Sequence, residues 1–215
     1  MVGGKKGRAG YRGKFPSIKL GRIVLYKLLL VRDYLYLLEF DPDVVTYQET
    51  PFEITYSVPG GVLTFTPDLL VCRACGRRQL LKLSYDEIPA DGEAARRLRA
   101  LARACGRLGY EFRLVPASAV LRQPFLGNVK ALWKYASEPV DAPQHQLLCL
   151  EFFSRAGAAP LGDLIEFFES RGESARAVFA LIFRGVLRAD MNAPLNRRSL
   201  IIYPGAACAA MKKGA

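Results

Sequence analysis

The run Gly60–Glu87 constrains this 215-residue chain more than any other segment. Gly60-Gly61 is a hairpin signal, and Val62–Val71 is an apolar strand that contains Thr66-Pro67-Asp68. After a tight turn around Cys72-Arg73-Ala74-Cys75 comes a second apolar strand, Gln79–Tyr85. Side chains two apart on a strand share a face. Lys82 and Ser84 therefore point the same way, on a strand that follows the one carrying Asp68. The flanking pattern predicts a helix over Ile23–Phe40, ended by Asp41-Pro42-Asp43, and a strand over Val44–Val58 with an irregularity at Pro51. Downstream it predicts a helix over Gly92–Leu108, a buried strand over Tyr110–Val115 and a short helix over Asn128–Ala136. Helix, three strands, helix, strand makes an α/β layer with mixed strands.

Charge narrows the partners. The chain carries a net charge of +11 with a pI near 9.6, which favours a polyanion, nucleic acid first. Residues 1–22 hold Lys5, Lys6, Arg8, Arg12, Lys14, Lys19 and Arg22 and no acid, and read as a flexible basic arm suited to phosphates. On Gly92–Leu108 an apolar stripe of Leu98, Leu101, Cys105 and Leu108 opposes a ridge of Arg96, Arg99, Arg103 and Arg107. That ridge is either a solvated helix face or a DNA-facing surface. No run of about 18 apolar residues offers a membrane span, and the N-terminus has no apolar leader core. These features suggest a soluble, intracellular protein.

Five cysteines at irregular spacing do not form a disulfide framework. Cys72 and Cys75 are half of a zinc site, whose completion would need Cys105 and the single histidine, His145. Two reduced turn cysteines are the simpler reading.

A linker is expected at Ser137–Gln144, around Pro139 and Pro143. Beyond it, helices are expected over Gln146–Ser154, Leu161–Ser170 and Ala175–Arg188, the last capped by Ser174, then a strand over Ser199–Tyr203. Three helices and a terminal hairpin describe a winged helix, whose third helix commonly enters the major groove. Arg176, Arg184 and Arg188 lie on that helix, and Arg197 and Arg198 on the wing. The organisation expected is an arm (1–22), an α/β domain (23–138), a winged-helix domain (144–205) and a tail (206–215).

Several blocks resemble the TnsA family, the endonuclease subunits of heteromeric transposases. They are Arg12–Arg22, Arg32–Val45, Tyr47–Pro51, Thr66–Val71, Asn128 and Gly185–Leu195. The resemblance spans nearly the whole chain. It implies a restriction-endonuclease-like core of the PD-(D/E)xK kind and a C-terminal winged helix. It also implies double-stranded transposon-end DNA, a TnsB-like transposase and a TnsC-like AAA+ ATPase as partners. In that family the nuclease cuts 5′ ends with a Mg²⁺ site built from a helix glutamate, a strand aspartate and a Glu or Gln two residues before a lysine. Carried onto this chain, the aspartate is Asp68, the helix glutamate position is Val31, and the third-strand pair is Lys82 and Ser84.

Those residue types do not suit magnesium, which wants several hard oxygen ligands. Val31 offers none. A Lys82 ammonium beside the ion would oppose it by roughly 4 kcal/mol for unit charges about 4 Å apart, or would itself pair with Asp68. Moving the third strand by two residues makes Lys82 the family lysine but puts Leu80 at the acid position. Glu39 is about 12 Å along the helix from Val31. Glu49 and Glu53 remain as ligands that could reach Asp68 from across the sheet. The leading expectation is therefore a TnsA-like subunit that binds ends and bridges its partners without cutting and without a cofactor. The alternative is an active Mg²⁺-dependent endonuclease with a non-standard ligand set.

Overall fold

A computed structural model describes residues 13–87, 89–140, 142–154 and 157–205. It is a mixed α/β structure with seven helices among the described residues. The chain divides into two compact units, Met1–Leu121 and Arg122–Ala215. Among the described residues no helix is long and apolar enough to cross a membrane.

The first unit begins with an antiparallel hairpin of β1 (Gly13–Ser17) and β2 (Arg22–Tyr26). Helix α1 (Leu29–Phe40) follows, then β3 (Val44–Glu49), β4 (Ile54–Val58), β5 (Gly61–Phe65), β6 (Leu69–Arg73) and β7 (Arg78–Ser84). Helix α2 (Gly92–Arg107), β8 (Glu111–Pro116) and the short α3 (Ala117–Val120) complete it. The main sheet runs β3-β6-β7-β8; the first three strands are antiparallel, and β8 joins β7 in parallel through the α2 crossover. The apolar runs of β6 and β7 are covered on both faces, as central strands require. Leu80 packs with Ile54 of β4 and with Leu101 and Cys105 of α2, while alternate residues Leu69, Val71 and Leu81 are wholly buried on the other face. Helix α1 packs against β7 and buries Leu30, Val31, Leu35 and Leu38.

Two expectations for the N-terminal region change. The helix predicted from Ile23 starts at Leu29, because Arg22–Tyr26 alternates as a strand, with Val24 fully buried and its neighbours facing outward. The arm expected over 1–22 is not an arm over 13–22. Phe15 and Ser17 are buried, and the turn between the strands is held by Glu39 of α1. That carboxylate accepts from Ser17 Oγ (2.6 Å), Tyr47 Oη (2.6 Å), Ile18 N (3.1 Å) and Lys19 N (3.0 Å). Lys19 Nζ donates to the carbonyls of Leu38 (2.8 Å) and Asp41 (2.6 Å), closing the last turn of α1. Lys5, Lys6, Arg8 and Arg12 lie outside the described residues, as does the tail from residue 206.

The strand expected over Val44–Val58 breaks at Thr50, whose φ is +41°, and Pro51; β4 turns away to pair with β5. The strand expected over Val62–Val71 likewise divides at Thr66-Pro67-Asp68, so Asp68 sits at the entrance to β6.

The second unit contains α4 (Phe125–Trp133), α5 (Ala142–Phe152), β9 (Ala158–Pro160), α6 (Leu161–Ser170), α7 (Ala175–Phe183), β10 (Arg188–Ala189) and β11 (Leu200–Ile202). Its sheet runs β10-β11-β9, antiparallel throughout. Ser174 caps α7, its Oγ accepting from Arg176 N at 3.2 Å. Helix α7 stops at Phe183 rather than Arg188. Gly185 takes φ +74°, and Val186 N and Gly185 N donate to Leu181 O (3.0 Å) and Ile182 O (3.1 Å), a Schellman C-cap.

The division falls after Leu121, not at the expected linker, because α4 belongs with α7. Tyr135 stacks on Phe179 at 4.9 Å. Asn128 Nδ2 donates to the carbonyls of Met191 (3.1 Å) and Ala193 (2.8 Å), and its Oδ1 accepts from Leu195 N (3.2 Å). Asn128→Ala removes these bonds and leaves backbone groups short of partners. Urea denaturation followed by Trp133 fluorescence is expected to show a loss of about 2–3 kcal/mol; a loss below about 0.5 kcal/mol would mean water replaces the amide fully.

Candidate functional site

Strand register brings Asp68 and Lys82 together. Asp68 N donates to Leu81 O at 2.9 Å, which places the first residue before β6 beside the fifth of β7. Lys82 Nζ then lies 3.0 Å from Asp68 Oδ1, and the backbone N–H of Leu83 donates to Oδ2 at 2.8 Å. Both carboxylate oxygens are engaged, one by a cation and one by the strand. The acid is mostly buried and the lysine half-exposed.

The other two positions supply no ligand. Val31 is buried in the apolar face of α1. Ser84 Oγ accepts from Asp86 N at 3.0 Å, ending β7 with a local turn. The ammonium on Asp68 occupies the place and charge a divalent ion would need, so these residues do not fit a magnesium site.

Neither alternative acid repairs it. Glu49 lies opposite Leu69 in the β3–β6 register and so points to the face away from Asp68. Its oxygens accept from Arg22 Nη1 (2.8 Å) and Nη2 (2.7 Å). Burial would raise the Glu49 carboxyl, but the Arg22 hydrogen bonds and charge prevail and hold it below the usual range. Glu53 is exposed just before β4. Among the described residues no three His, Cys, Asp or Glu side chains converge on a common point. Of the zinc candidates, Cys105 is sealed in the core beside Leu80, and His145 is buried within the second unit with Nε2 3.3 Å from Glu173.

The arginine ridge of α2 is intact. Ala95, Leu101, Ala104 and Cys105 face inward, and Arg96, Arg99, Arg103 and Arg107 are all exposed. At about 100° per residue the four fall within an arc of roughly 80° and span about 16 Å of helix. None pairs with a carboxylate among the described residues, whereas Arg97, outside the arc, pairs with Glu93 at 2.5 Å. Leu108, expected in the apolar stripe, caps the helix and is exposed. Arg78 lies at the same end, its guanidinium 4.8 Å from the Tyr110 ring.

The remaining cations are largely committed to the fold. Lys14 is exposed on β1, but Lys19 and Arg22 are held as described. In the second unit Arg176 donates to Glu138 (2.7 Å) and covers Tyr135, Arg184 donates to Glu138 O (2.6 Å), and Arg197 donates to Glu166 (2.5 Å). Arg188 and Arg198 are exposed. Helix α7 is no free recognition surface: Ala177, Val178 and the run Ala180–Phe183 are buried, and α4 and α6 pack against it.

Sequence reasoning missed the Glu39 clasp. The only signal was an acid in the last turn of an apolar helix, where the helix dipole opposes it; its partners lie at positions 17–19 and 47, and nothing local to Glu39 names them. No protein-family model matches the chain, and no curated protein does.

Proposed function

We propose that the chain is a non-cleaving, TnsA-like transposition subunit that binds transposon-end DNA and bridges a TnsB-like transposase and a TnsC-like ATPase. The first unit is then a restriction-endonuclease-like core, and the second a winged helix of α5–α7 with β9–β11. Element order supports this: a helix, an antiparallel strand series with Asp68 at the entrance to β6, and a parallel crossover through α2. One observation carries the loss of cleavage: Lys82 Nζ sits 3.0 Å from the Asp68 oxygen that a metal would take, with the second oxygen bound by Leu83 N.

DNA is held by the α2 ridge, whose four guanidiniums, with no described carboxylate beside them, suit a phosphate backbone and carry no base readout. The second unit, with α7 covered and three of its five candidate arginines engaged, serves protein contacts. If only 3′ ends are cut, the element remains joined to donor DNA through its 5′ strands, and replication yields a cointegrate.

The test is end-labelled transposon DNA incubated with this subunit and its transposase in Mg²⁺ or Mn²⁺. The expected result is 3′ cleavage alone, unchanged by Asp68→Ala. A 5′ cut that disappears in Asp68→Ala sinks the proposal in favour of an active endonuclease.

A further inference from the structure

The end of β6 and the turn that follows it carry two thiols that the DNA-binding reading does not use. Cys72 is half-buried on β6, opposite Arg78, and Cys75 is exposed three residues later. Gly76, at φ +80°, lets the chain reverse; Gly76 N donates to Arg73 O and Arg73 N to Arg77 O, each at 2.9 Å. Arg77 Nε lies 3.2 Å from Cys75 Sγ, and this bond holds the thiol below its ordinary pKa. The two core cysteines behave oppositely. Burial raises Cys105 and pushes Cys149 to about 12. A thiolate is the reactive form, and exposure beside a cation is what favours it.

The surroundings also select a reagent. Arg73, Arg77 and Arg78 crowd the turn. Arg73 is neutralised by Asp41 and Asp43, at 2.9 and 3.0 Å, but Arg77 and Arg78 are not paired with a described carboxylate. Such a turn disfavours a divalent cation and attracts an anionic electrophile. A second thiol three positions earlier, near the end of β6, is the candidate to resolve the first product within the chain.

We propose that Cys72 and Cys75 form a thiol–disulfide exchange site for an anionic low-molecular-weight disulfide. The Cys75 thiolate attacks one sulfur of the small disulfide. A mixed disulfide forms, the original S–S bond breaks, and its electron pair leaves on the first small thiolate. Cys72, losing its proton to solvent, then attacks the Cys75 sulfur; the Cys72–Cys75 bond forms and the second small thiolate leaves. Two protein thiols are oxidised and one small disulfide is reduced to two thiols, which take up the protons released. The site does not depend on the chain acting in transposition.

The test uses the full chain carrying Cys208→Ser, since Cys208 lies outside the described residues, with oxidised glutathione at pH 7 and peptide mass readout. The wild-type turn is expected to lose two hydrogens, while Cys105 and Cys149 stay unmodified. Cys72→Ser should accumulate one glutathione on Cys75, and Arg77→Gln in that background should slow the adduct about tenfold, with Arg77→Lys restoring part of the rate. Three results overturn the proposal: no adduct in Cys72→Ser, equal rates with and without Arg77, or a stable adduct in the wild type that Cys72 never displaces.

Discussion

Replacing Glu39 with alanine is expected to lower the unfolding free energy of the first unit by about 3–5 kcal/mol, the largest effect expected of a single polar substitution among the described residues. The carboxylate receives four hydrogen bonds, two from hydroxyls and two from the backbone of the β1–β2 turn. Each donor is at least partly buried, and each one left without an acceptor costs about 1–3 kcal/mol before water or relaxation recovers some of it. Tyr47 reports the same environment: burial, and then its bond to Glu39, keep its phenol protonated far above the ordinary value. Glu39→Gln retains the shape but replaces one acceptor with a donor, so it should fall between wild type and alanine. The only tryptophan lies in the second unit, so unfolding is best followed by hydrogen exchange of residues 13–26 and by circular dichroism. A loss under about 1 kcal/mol with unchanged exchange in the hairpin would show that the clasp does not anchor it.

The second large effect concerns DNA. Substituting Arg96, Arg99, Arg103 and Arg107 together with glutamine is expected to weaken binding to duplex DNA about 10³-fold near 0.1 M salt. The slope of log affinity against log salt should fall by close to four units, about one for each phosphate no longer neutralised. Stability should change little, because all four side chains are exposed and the buried face of α2 is Ala95, Leu101, Ala104 and Cys105. The loss should be similar for end and unrelated sequences, as phosphate contacts position without specifying. Arg176, Arg184 and Arg197 substituted together provide the contrast, since each is held by a carboxylate or a carbonyl. An unaltered salt slope in the α2 variant would reduce the ridge to a solvated helix face.

What the residues disclosed in advance follows from how local each determinant is. Helix α6 was predicted with its bounds, because Gly157, Pro160 and Gly172 punctuate it. The Ser174 cap and the β6–β7 pair were also legible, the latter because two apolar runs flank a glycine turn. The opposition of Asp68 and Lys82 could be foreseen as one possibility, since it needs only the register of adjacent strands. The N-terminal hairpin could not. Cations without acids read as a free polyelectrolyte, and the acid that pins residues 17–19 sits 20 to 22 positions away at Glu39. The boundary at Leu121 was hidden for a similar reason. Proline at 139 and 143 marks a linker locally, but Asn128 reaches the carbonyls of Met191 and Ala193, a tertiary bond that outweighs local punctuation.

The parallel strand β8 ends the main sheet, so among the described residues one side of its backbone has no neighbouring strand. Such a rim is where like chains zip together into fibrils. Here Glu111 and Arg113 stand exposed along it, and Pro116, which lacks an amide hydrogen, closes it. A charge of each sign and a missing donor make polymerisation through this rim unfavourable, even where the local protein concentration is high.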